Sequence, residues 1–126
     1  MPPVAVLIVD DDDAMANALA AAMMAYGCRA RVAAGGRAAF AIPESWVPHV
    51  VILDIEMPEW DGFSVAKSMR GSIRFARVPI LAHTSLAEAE IMERGIEAEI
   101  DAYYRKGEPL HGLFRMIEYL APVRYL

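Results

Sequence analysis

Hydrophobic and polar residues alternate along the chain in short blocks, and these blocks predict five strands and five helices in turn. The apolar runs VAVLIV at residues 4–9 and VVIL at residues 50–53 are typical of strands that are buried on both faces of a parallel sheet. The intervening blocks carry apolar residues at helical spacing and end near Gly or Pro. We predict strands over residues 4–9, 28–32, 50–54, 78–82 and 102–105, and helices over residues 13–25, 36–42, 63–69, 86–98 and 110–120. This order predicts an α/β fold, a doubly wound parallel sheet with helices on both faces.

Acidic residues directly follow two of the predicted strands. The first run leads into four consecutive aspartates, Asp10 to Asp13, and the third leads into Asp54. Because ligands of such sheets bind at the carboxyl ends of the strands, we expect these carboxylates to converge. Close carboxylates repel one another unless a cation neutralises them, and a small cluster of hard oxygen ligands suits Mg²⁺, which bridges to phosphate. We therefore predict a metal-dependent phosphoryl site, with Asp12 or Asp13 capping the first helix.

Composition and charge narrow the class of protein. With 126 residues, of which 56% are hydrophobic and 23% charged, the chain is expected to fold as one globular domain. Its formal net charge of −5 argues against direct binding of nucleic acid. Its single cysteine, Cys28, excludes an internal disulfide and a multi-cysteine zinc site. The sequence contains neither an apolar stretch of membrane-spanning length nor a signal-peptide pattern, so we expect a cytoplasmic protein with no membrane association.

Two further polar residues are predicted at the same edge of the sheet as the acids. Thr84 follows the fourth predicted strand and Lys106 follows the fifth. Acids for a cation, one acid for nucleophilic attack, a hydroxyl and an ammonium group together suit phosphoryl transfer. With these residues, the sequence resembles the receiver domain of two-component response regulators. The resemblance covers nearly the whole chain and rests on Val-Asp-Asp at 9–11, Leu-Asp-Ile-Glu-Met-Pro-Glu-Trp-Asp-Gly at 53–62, Thr84, Tyr103 and Lys106.

The resemblance implies a fold and a set of residue roles. The fold is a flavodoxin-like (βα)5 three-layer sandwich with a parallel five-stranded sheet in the order 2-1-3-4-5, and residues 1–126 form a single receiver domain. Asp54 is the implied phosphoacceptor, Thr84 and Lys106 contact phosphoryl oxygens, and Thr84 and Tyr103 form the switch. Mg²⁺ is the implied cofactor, and its ligands are Asp11 and Asp54 directly, Asp10 through water, and the backbone carbonyl of Glu56.

The resemblance also implies partners for a bacterial signalling switch, similar to the stand-alone chemotaxis regulators. The phosphoryl group comes from a phosphohistidine of a sensor histidine kinase or a histidine phosphotransfer protein. Phosphate draws Thr84 toward Asp54 and favours an inward rotamer of Tyr103. This movement alters the face made by the fourth helix, the fifth strand and the fifth helix, which binds a downstream protein target. A receiver catalyses only its own phosphorylation and dephosphorylation, so no turnover of an external substrate is expected.

Some positions depart from the family pattern or are expected to adjust its chemistry. Gly107 follows Lys106 where the family usually has a proline after a cis bond, and a trans bond is expected here because a cis Lys-Gly bond costs roughly 2.5–4 kcal/mol. Glu99 stands where glycine is typical, so we expect a reshaped end of the fourth helix. Glu56 and Leu86 are expected to influence the lifetime of the phosphoryl group.

The sequence leaves two alternative functions open. One is a receiver-like interaction module that is not phosphorylated, for which the departures at Gly107 and Glu99 are the best support. The other is a haloacid-dehalogenase-like phosphohydrolase, because Asp10-Asp11-Asp12 fits the Asp-x-Asp motif of that superfamily, with Asp10 as the nucleophile. The hydrolase hypothesis leaves Asp54 unexplained, and the chain is expected to have no room for a substrate cap.

Overall fold

The computed structural model describes residues 3–121, so the ends of the predicted 1–126 domain lie outside the described residues. Five parallel strands form one sheet in the order β2-β1-β3-β4-β5, which confirms the predicted fold. The strands are β1 (Ala5–Val9), β2 (Arg29–Ala33), β3 (Val50–Leu53), β4 (Ile80–Thr84) and β5 (Ala102–Arg105). The helices are α1 (Asp13–Ala25), α2 (Gly36–Ala41), α3 (Gly62–Arg70), α4 (Glu88–Glu97) and α5 (Leu110–Leu120). In the described range, none of these helices has the length and apolar character that a membrane span requires.

The fourth strand lies two residues further along the chain than the apolar pattern predicted. The Pro79 carbonyl accepts a bond from the Val51 N–H at 2.9 Å, but Pro79 has no N–H group to donate, and the strand begins at Ile80. The strand then continues to Thr84, which pairs with Arg105 of β5. The shift is consequential because it brings Thr84 to the last position of the strand, at the carboxyl edge of the sheet.

The sheet separates two hydrophobic layers. Side chains of β1, β3 and β4 alternate between the layers, as in any strand that is buried on both faces. Helices α1 and α5 cover one face through residues such as Met23 and Leu113, and helices α2, α3 and α4 cover the other through residues such as Val65 and Ile91. This three-layer arrangement places the carboxyl ends of all five strands at one rim of the molecule.

A strained turn joins α4 to β5 at the opposite, amino edge of the sheet. Glu99 adopts a φ of 58°, in the left-handed region that favours glycine. Arg70, the last residue of α3, donates from Nε and Nη2 to the Glu99 carbonyl at 3.0 and 2.7 Å, and from Nη1 to the Val78 carbonyl at 2.7 Å. Nη2 also pairs with Asp101 Oδ2 at 2.7 Å, and this oxygen accepts a bond from the Ile80 N–H at 2.8 Å. The turn therefore keeps the conformation that a glycine would adopt, with Arg70 holding its carbonyl.

Candidate functional site

Three carboxylates converge at the carboxyl edge of the sheet. Asp10 follows β1 and Asp54 follows the neighbouring strand β3, and the Asp54 N–H donates to the Val9 carbonyl at 2.9 Å. One carboxylate oxygen from each of Asp10, Asp11 and Asp54 lies within 4.8 Å of the other two. Asp10 and Asp54 are only 3% and 4% exposed, whereas Asp11 is open to solvent. Three hard oxygen donors at this separation fit a divalent cation such as Mg²⁺, which keeps several of its waters.

The Lys106 side chain extends from the end of β5 to the acidic cluster. Its Nζ lies 3.1 Å from Asp10 Oδ2 and 3.4 Å from Asp54 Oδ1. Its backbone N–H donates to the Thr84 carbonyl at 2.8 Å, which anchors the start of the loop after β5. The peptide bond to Gly107 is trans, as predicted, and Gly107 has a φ of 95°, a conformation that glycine adopts without strain. The ammonium group thus contacts both acids with glycine in place of the usual proline.

Charge is unevenly balanced among these groups. Burial, and then the negative charge of Asp10, raise the pKa of Asp54 to about 7, against an opposing effect of Lys106. Burial lowers the pKa of Lys106, but Asp54 and Asp10 outweigh this effect and the pKa lies above its ordinary value. Lys106 therefore carries its positive charge at neutral pH, yet one ammonium group does not neutralise the cluster. The arrangement favours further positive charge near Asp54.

The loops after β3 and β4 complete the rim of the site. The Glu56 N–H donates to Asp54 Oδ1 at 3.3 Å, and the Glu56 side chain accepts a hydrogen bond from the Ser85 hydroxyl at 2.8 Å. Thr84 is fully buried, and its Oγ1 accepts a bond from the Leu86 N–H at 3.2 Å. This local bond holds the Thr84 hydroxyl against the loop that follows β4.

Tyr103 lies on β5 beside this loop. Its hydroxyl donates to the Leu86 carbonyl at 2.6 Å, and its ring packs against the core on the α4 side of the sheet. Tyr103 and the Thr84 hydroxyl therefore both contact Leu86, in the loop after β4. Of the residues that sequence reasoning selected, the structure clusters Asp10, Asp11, Asp54 and Lys106, bonds the Glu56 backbone to Asp54, and links Thr84 and Tyr103 to each other through Leu86.

The neighbouring aspartates have a separate, structural role. Asp12 is the N-cap of α1, and its Oδ1 accepts a bond from the Met15 N–H at 3.1 Å, as the sequence predicted. Asp13 lies in the first turn of the same helix, where its negative charge is favourable. The Asp12 N–H also donates to Asp10 Oδ1 at 2.9 Å. Capping of α1 therefore helps to orient one of the acids in the cluster.

A compact turn after β3 packs against the backbone of Asp54. Asp61 caps α3 by accepting a bond from the Ser64 N–H at 2.9 Å, and Gly62 N–H donates to the Ile55 carbonyl at 2.9 Å. A Cβ atom at Gly62 would overlap the Asp54 carbonyl oxygen and the Ile55 backbone. The absence of a side chain at Gly62 thus lets α3 begin directly against the peptide of Asp54.

A groove of about 360 Å³ lies beside the cluster. Asp11 is one of its lining residues, and its walls are the loop after β2, the start of α2 and the loop after β3, with Arg37, Met57 and Trp60 among the lining residues. The Trp60 ring lies against Gly36, where a Cβ atom would collide with it. The groove is therefore continuous with the acidic site and has an apolar wall.

Sequence reasoning missed the bond between Ser85 and Glu56, which lie 29 residues apart. Ser85 directly follows β4 and Glu56 lies in the loop after β3, but the sequence does not identify which side chains meet.

His83 is a packing residue of β4. It is buried beside Tyr104. Burial and the neighbouring charge of Lys106 lower the pKa of His83 to about 4, so this histidine is neutral near pH 7.

Comparison with known proteins assigns the family. The model of the response regulator receiver domain matches residues 6–118, and the chain belongs to that family. Such domains are signalling switches of two-component systems. The response regulator MprA of Mycolicibacterium vanbaalenii is 32% identical over 124 residues, which is 98% of this chain and 50% of MprA. The gliding motility regulatory protein of Myxococcus xanthus is 34% identical over 103 residues, 82% of this chain and 13% of that protein. The chain thus spans half or less of these curated relatives.

Solved structures share the fold. The chemotaxis protein CheY4 of Vibrio cholerae superposes with a TM-score of 0.88 at 24% identity, over 94% of this chain and 98% of that chain. The receiver domain of the sensor histidine kinase PA1611 from Pseudomonas aeruginosa gives a TM-score of 0.85 at 24% identity, over 96% and 99% of the two chains. That structure has a magnesium ion coordinated in its active site cleft.

Proposed function

We propose that this receiver domain is a phosphorylation-dependent switch that accepts a phosphoryl group on Asp54. The donor is a phosphohistidine of a sensor histidine kinase or of a histidine phosphotransfer protein. One observation carries the proposal: the Lys106 ammonium lies 3.1 Å from Asp10 and 3.4 Å from Asp54, within a cluster of three carboxylates. A merely structural ion pair needs one carboxylate, whereas this excess of acids around one lysine suits a cation and an incoming anion.

The transfer exchanges one bond to phosphorus for another. An oxygen of Asp54 attacks the phosphorus, the P–N bond to the donor imidazole breaks, and the imidazole nitrogen takes a proton as it leaves. The attacking carboxylate and the phosphoryl group are both anions, so positive charge must already be in place. Lys106 supplies one such charge next to Asp54, and the Glu56 N–H adds a fixed dipole at 3.3 Å.

The same acids would hold the cofactor. Asp11 and Asp54 are the proposed direct ligands of Mg²⁺, Asp10 the ligand through water, and the Glu56 backbone carbonyl a further ligand. When bound, Mg²⁺ neutralises phosphoryl oxygens and the carboxylate excess. Burial, and then the negative charge of Asp10, raise the pKa of Asp54 to about 7 in the metal-free chain. Binding of a cation favours the ionised form of Asp54 that can attack phosphorus.

Phosphorylation would act on the loop after β4. The Thr84 hydroxyl is bonded to the Leu86 N–H at 3.2 Å, and this bond must break if Thr84 turns to a phosphoryl oxygen on Asp54. The Leu86 carbonyl is bonded to Tyr103 at 2.6 Å, so movement of this loop changes the surroundings of the Tyr103 ring. The proposed switch is therefore a coupled rearrangement of Thr84, the loop and Tyr103.

The downstream partner is proposed to bind the face made by α4, β5 and α5. Met92 and Ile96 on α4 are 51% and 71% exposed, and Tyr103 lies at the inner edge of this face. Exposed apolar side chains beside a switch residue suit a protein partner rather than nucleic acid, in keeping with the net charge of −5. We propose a cytoplasmic protein with no external substrate.

Intact mass measurement tests the phosphorylation. The purified chain is incubated with Mg²⁺ and acetyl phosphate, and a gain of one phosphoryl group is expected. Asp54→Ala should show no gain, because the carboxylate nucleophile is absent. Asp13→Ala is the matched control, since it removes an exposed aspartate from the first turn of α1 and should leave the mass gain intact.

Other outcomes would favour the other functions. A chain that gains no phosphate from acetyl phosphate or from a phosphorylated histidine donor would be an interaction module that uses only the surface of the fold. Hydrolysis of a small phosphate ester that persists in Asp54→Ala and disappears in Asp10→Ala would support the hydrolase reading.

A further inference from the structure

A side-chain hydrogen bond joins the two loops at the mouth of the site. The Ser85 hydroxyl, in the loop after β4, donates to Glu56 Oε1, in the loop after β3, at 2.8 Å. Both residues are exposed, so the bond spans the open rim rather than the core. The proposed phosphorylation chemistry uses only the backbone of Glu56 and does not use Ser85.

The Ser85 hydroxyl is held in place by contacts around it. The Ser85 carbonyl accepts a bond from Arg105 Nε at 3.1 Å. The next residue, Leu86, donates its N–H to Thr84 Oγ1 at 3.2 Å and accepts a bond from the Tyr103 hydroxyl at 2.6 Å. These contacts fix the loop after β4 on both sides of Ser85, so the hydroxyl is presented to Glu56 in a defined position.

Glu56 carries a further carboxylate in the loop after β3, outside the group formed by Asp10, Asp11 and Asp54. Glu56 lies two residues beyond Asp54 and is already linked to it through its N–H, which donates to Asp54 Oδ1 at 3.3 Å. Lys106 pairs with Asp10 and Asp54, at 3.1 and 3.4 Å. The bond to Ser85 therefore directs the Glu56 side chain to the neighbouring loop instead of to the cation site.

We propose that Ser85 is a positioning residue that keeps the Glu56 carboxylate out of the cation site. An additional anionic ligand would tighten binding of a divalent cation, because affinity rises with the number of charged ligands. It would also occupy a coordination position that a phosphoryl oxygen needs. Ser85 thus sets the Mg²⁺ affinity below the value that four available carboxylates would give. The inference rests on the proposed function, since it concerns the cation site of that function.

Calorimetric titration of the unphosphorylated full chain with MgCl₂ tests the inference. Ser85→Ala should lower the Kd for Mg²⁺ by about three- to tenfold, because the freed Glu56 carboxylate joins the site. In a Glu56→Gln background, the same Ser85→Ala change should alter the Kd by less than about twofold. Ser85→Thr keeps the hydroxyl and should keep the wild-type Kd. Glu59→Gln, which removes the same charge further along the same loop, is the matched control for Glu56→Gln.

Each other result overturns the inference. An unchanged or higher Kd in Ser85→Ala would mean that Ser85 does not withhold the Glu56 carboxylate. Tighter binding that persists in the Glu56→Gln background would mean that the effect does not pass through that carboxylate. A wild-type chain that binds no Mg²⁺ overturns both the proposed cation site and this inference. A chain whose Kd for Mg²⁺ is the same with and without the Ser85 hydroxyl overturns this inference alone.

Discussion

Cations meet carboxylates at both edges of the sheet, but in different proportions. At the amino edge, the Arg70 guanidinium has one carboxylate partner, Asp101, and fills its other N–H positions with backbone carbonyls. At the carboxyl edge, the Lys106 ammonium faces two carboxylates, Asp10 and Asp54, with a third close by. The first set of charges is matched, and the second carries excess negative charge.

The difference separates a structural ion pair from a reactive site. Arg70 presents planar, directional donors, which suit the fixed carbonyls of a turn. Lys106 presents a compact charge that can contact two acids without excluding a further cation. At the amino edge, the matched charges hold the strained turn at Glu99 in place. At the carboxyl edge, burial and then the charge of Asp10 raise the pKa of Asp54 to about 7. Unbalanced buried charge is costly for stability, and such charge is typical of sites where a ligand restores the balance.

The largest expected effect comes from breaking the matched edge. Arg70→Met should lower the free energy of unfolding by about 3 kcal/mol, because several carbonyls and Asp101 lose a donor that is only 12% exposed. Urea unfolding followed by circular dichroism measures the loss. At low temperature, where the variant is folded, its phosphate uptake should equal that of the wild type. A loss of phosphate uptake in the folded variant would show that the two edges are not independent.

An intermediate effect is expected from removing the excess charge at the other edge. In the metal-free chain, the pKa of Asp54 lies near 7 when folded, above its ordinary value of 3.8. The folded state then binds the proton more tightly, so the contribution of Asp54 to stability is fully present below about pH 4 and is lost as the pH rises toward 7. Asp54→Asn should therefore be more stable than the wild type by about 2 kcal/mol at about pH 8, with a much smaller gain at about pH 5.

Urea unfolding in EDTA at the two pH values measures this gain, and Asp101→Asn is its counterpart at the matched edge. Asp101→Asn should lower stability by about 1 kcal/mol, because a charge-assisted bond to Arg70 is weakened. The comparison between the edges thus predicts that Asp54→Asn raises the free energy of unfolding and that Asp101→Asn lowers it. Loss of stability in both would show that the carboxyl edge is as well matched as the amino edge.

A smaller effect than that of Arg70→Met or Asp54→Asn is expected from adding Mg²⁺. Mg²⁺ at about ten times its Kd should raise the free energy of unfolding by about 1.4 kcal/mol, because it binds only the folded state. Thermal unfolding with and without MgCl₂ measures the gain. Arg70→Met should keep the full gain, and Asp11→Asn should lose most of it. An equal response in Asp11→Asn would place the cation elsewhere.

Most of the fold could be predicted because each strand is a short apolar run and each helix has an apolar stripe. The site residues could be predicted for a related reason, since Asp54 and Lys106 directly follow strands whose carboxyl ends share one edge. The position of β4 was predicted two residues too early, because apolar character alone does not show where the strand begins beside Pro79, which has no N–H group to donate. The resulting strand ends at Thr84, a residue that the family motif identified and the apolar pattern did not.

Contacts between distant loops could not be predicted. The bond from Ser85 to Glu56 depends on how two loops meet after the sheet has formed. The hydrogen bonds from Arg70 to the Glu99 carbonyl join residues 29 positions apart, and neither residue lies in a sequence pattern that predicts this contact. Glu99 at a glycine position pointed to a reshaped helix end, whereas the turn keeps the glycine-like conformation with an arginine as its support.

The lack of a side chain at Gly62 also limits which mutations this position tolerates. Its missing side chain leaves room for the backbone of Asp54 and Ile55, and the space is too small for even a methyl group. In a saturation library selected for signalling, Gly62 should be as intolerant of change as Asp54, although it takes no part in the chemistry. Substitution of Gly62 is limited by the available volume, and substitution of Asp54 by its proposed role as the phosphoacceptor. Invariance at a position in this family can therefore record a lack of space as readily as a catalytic need.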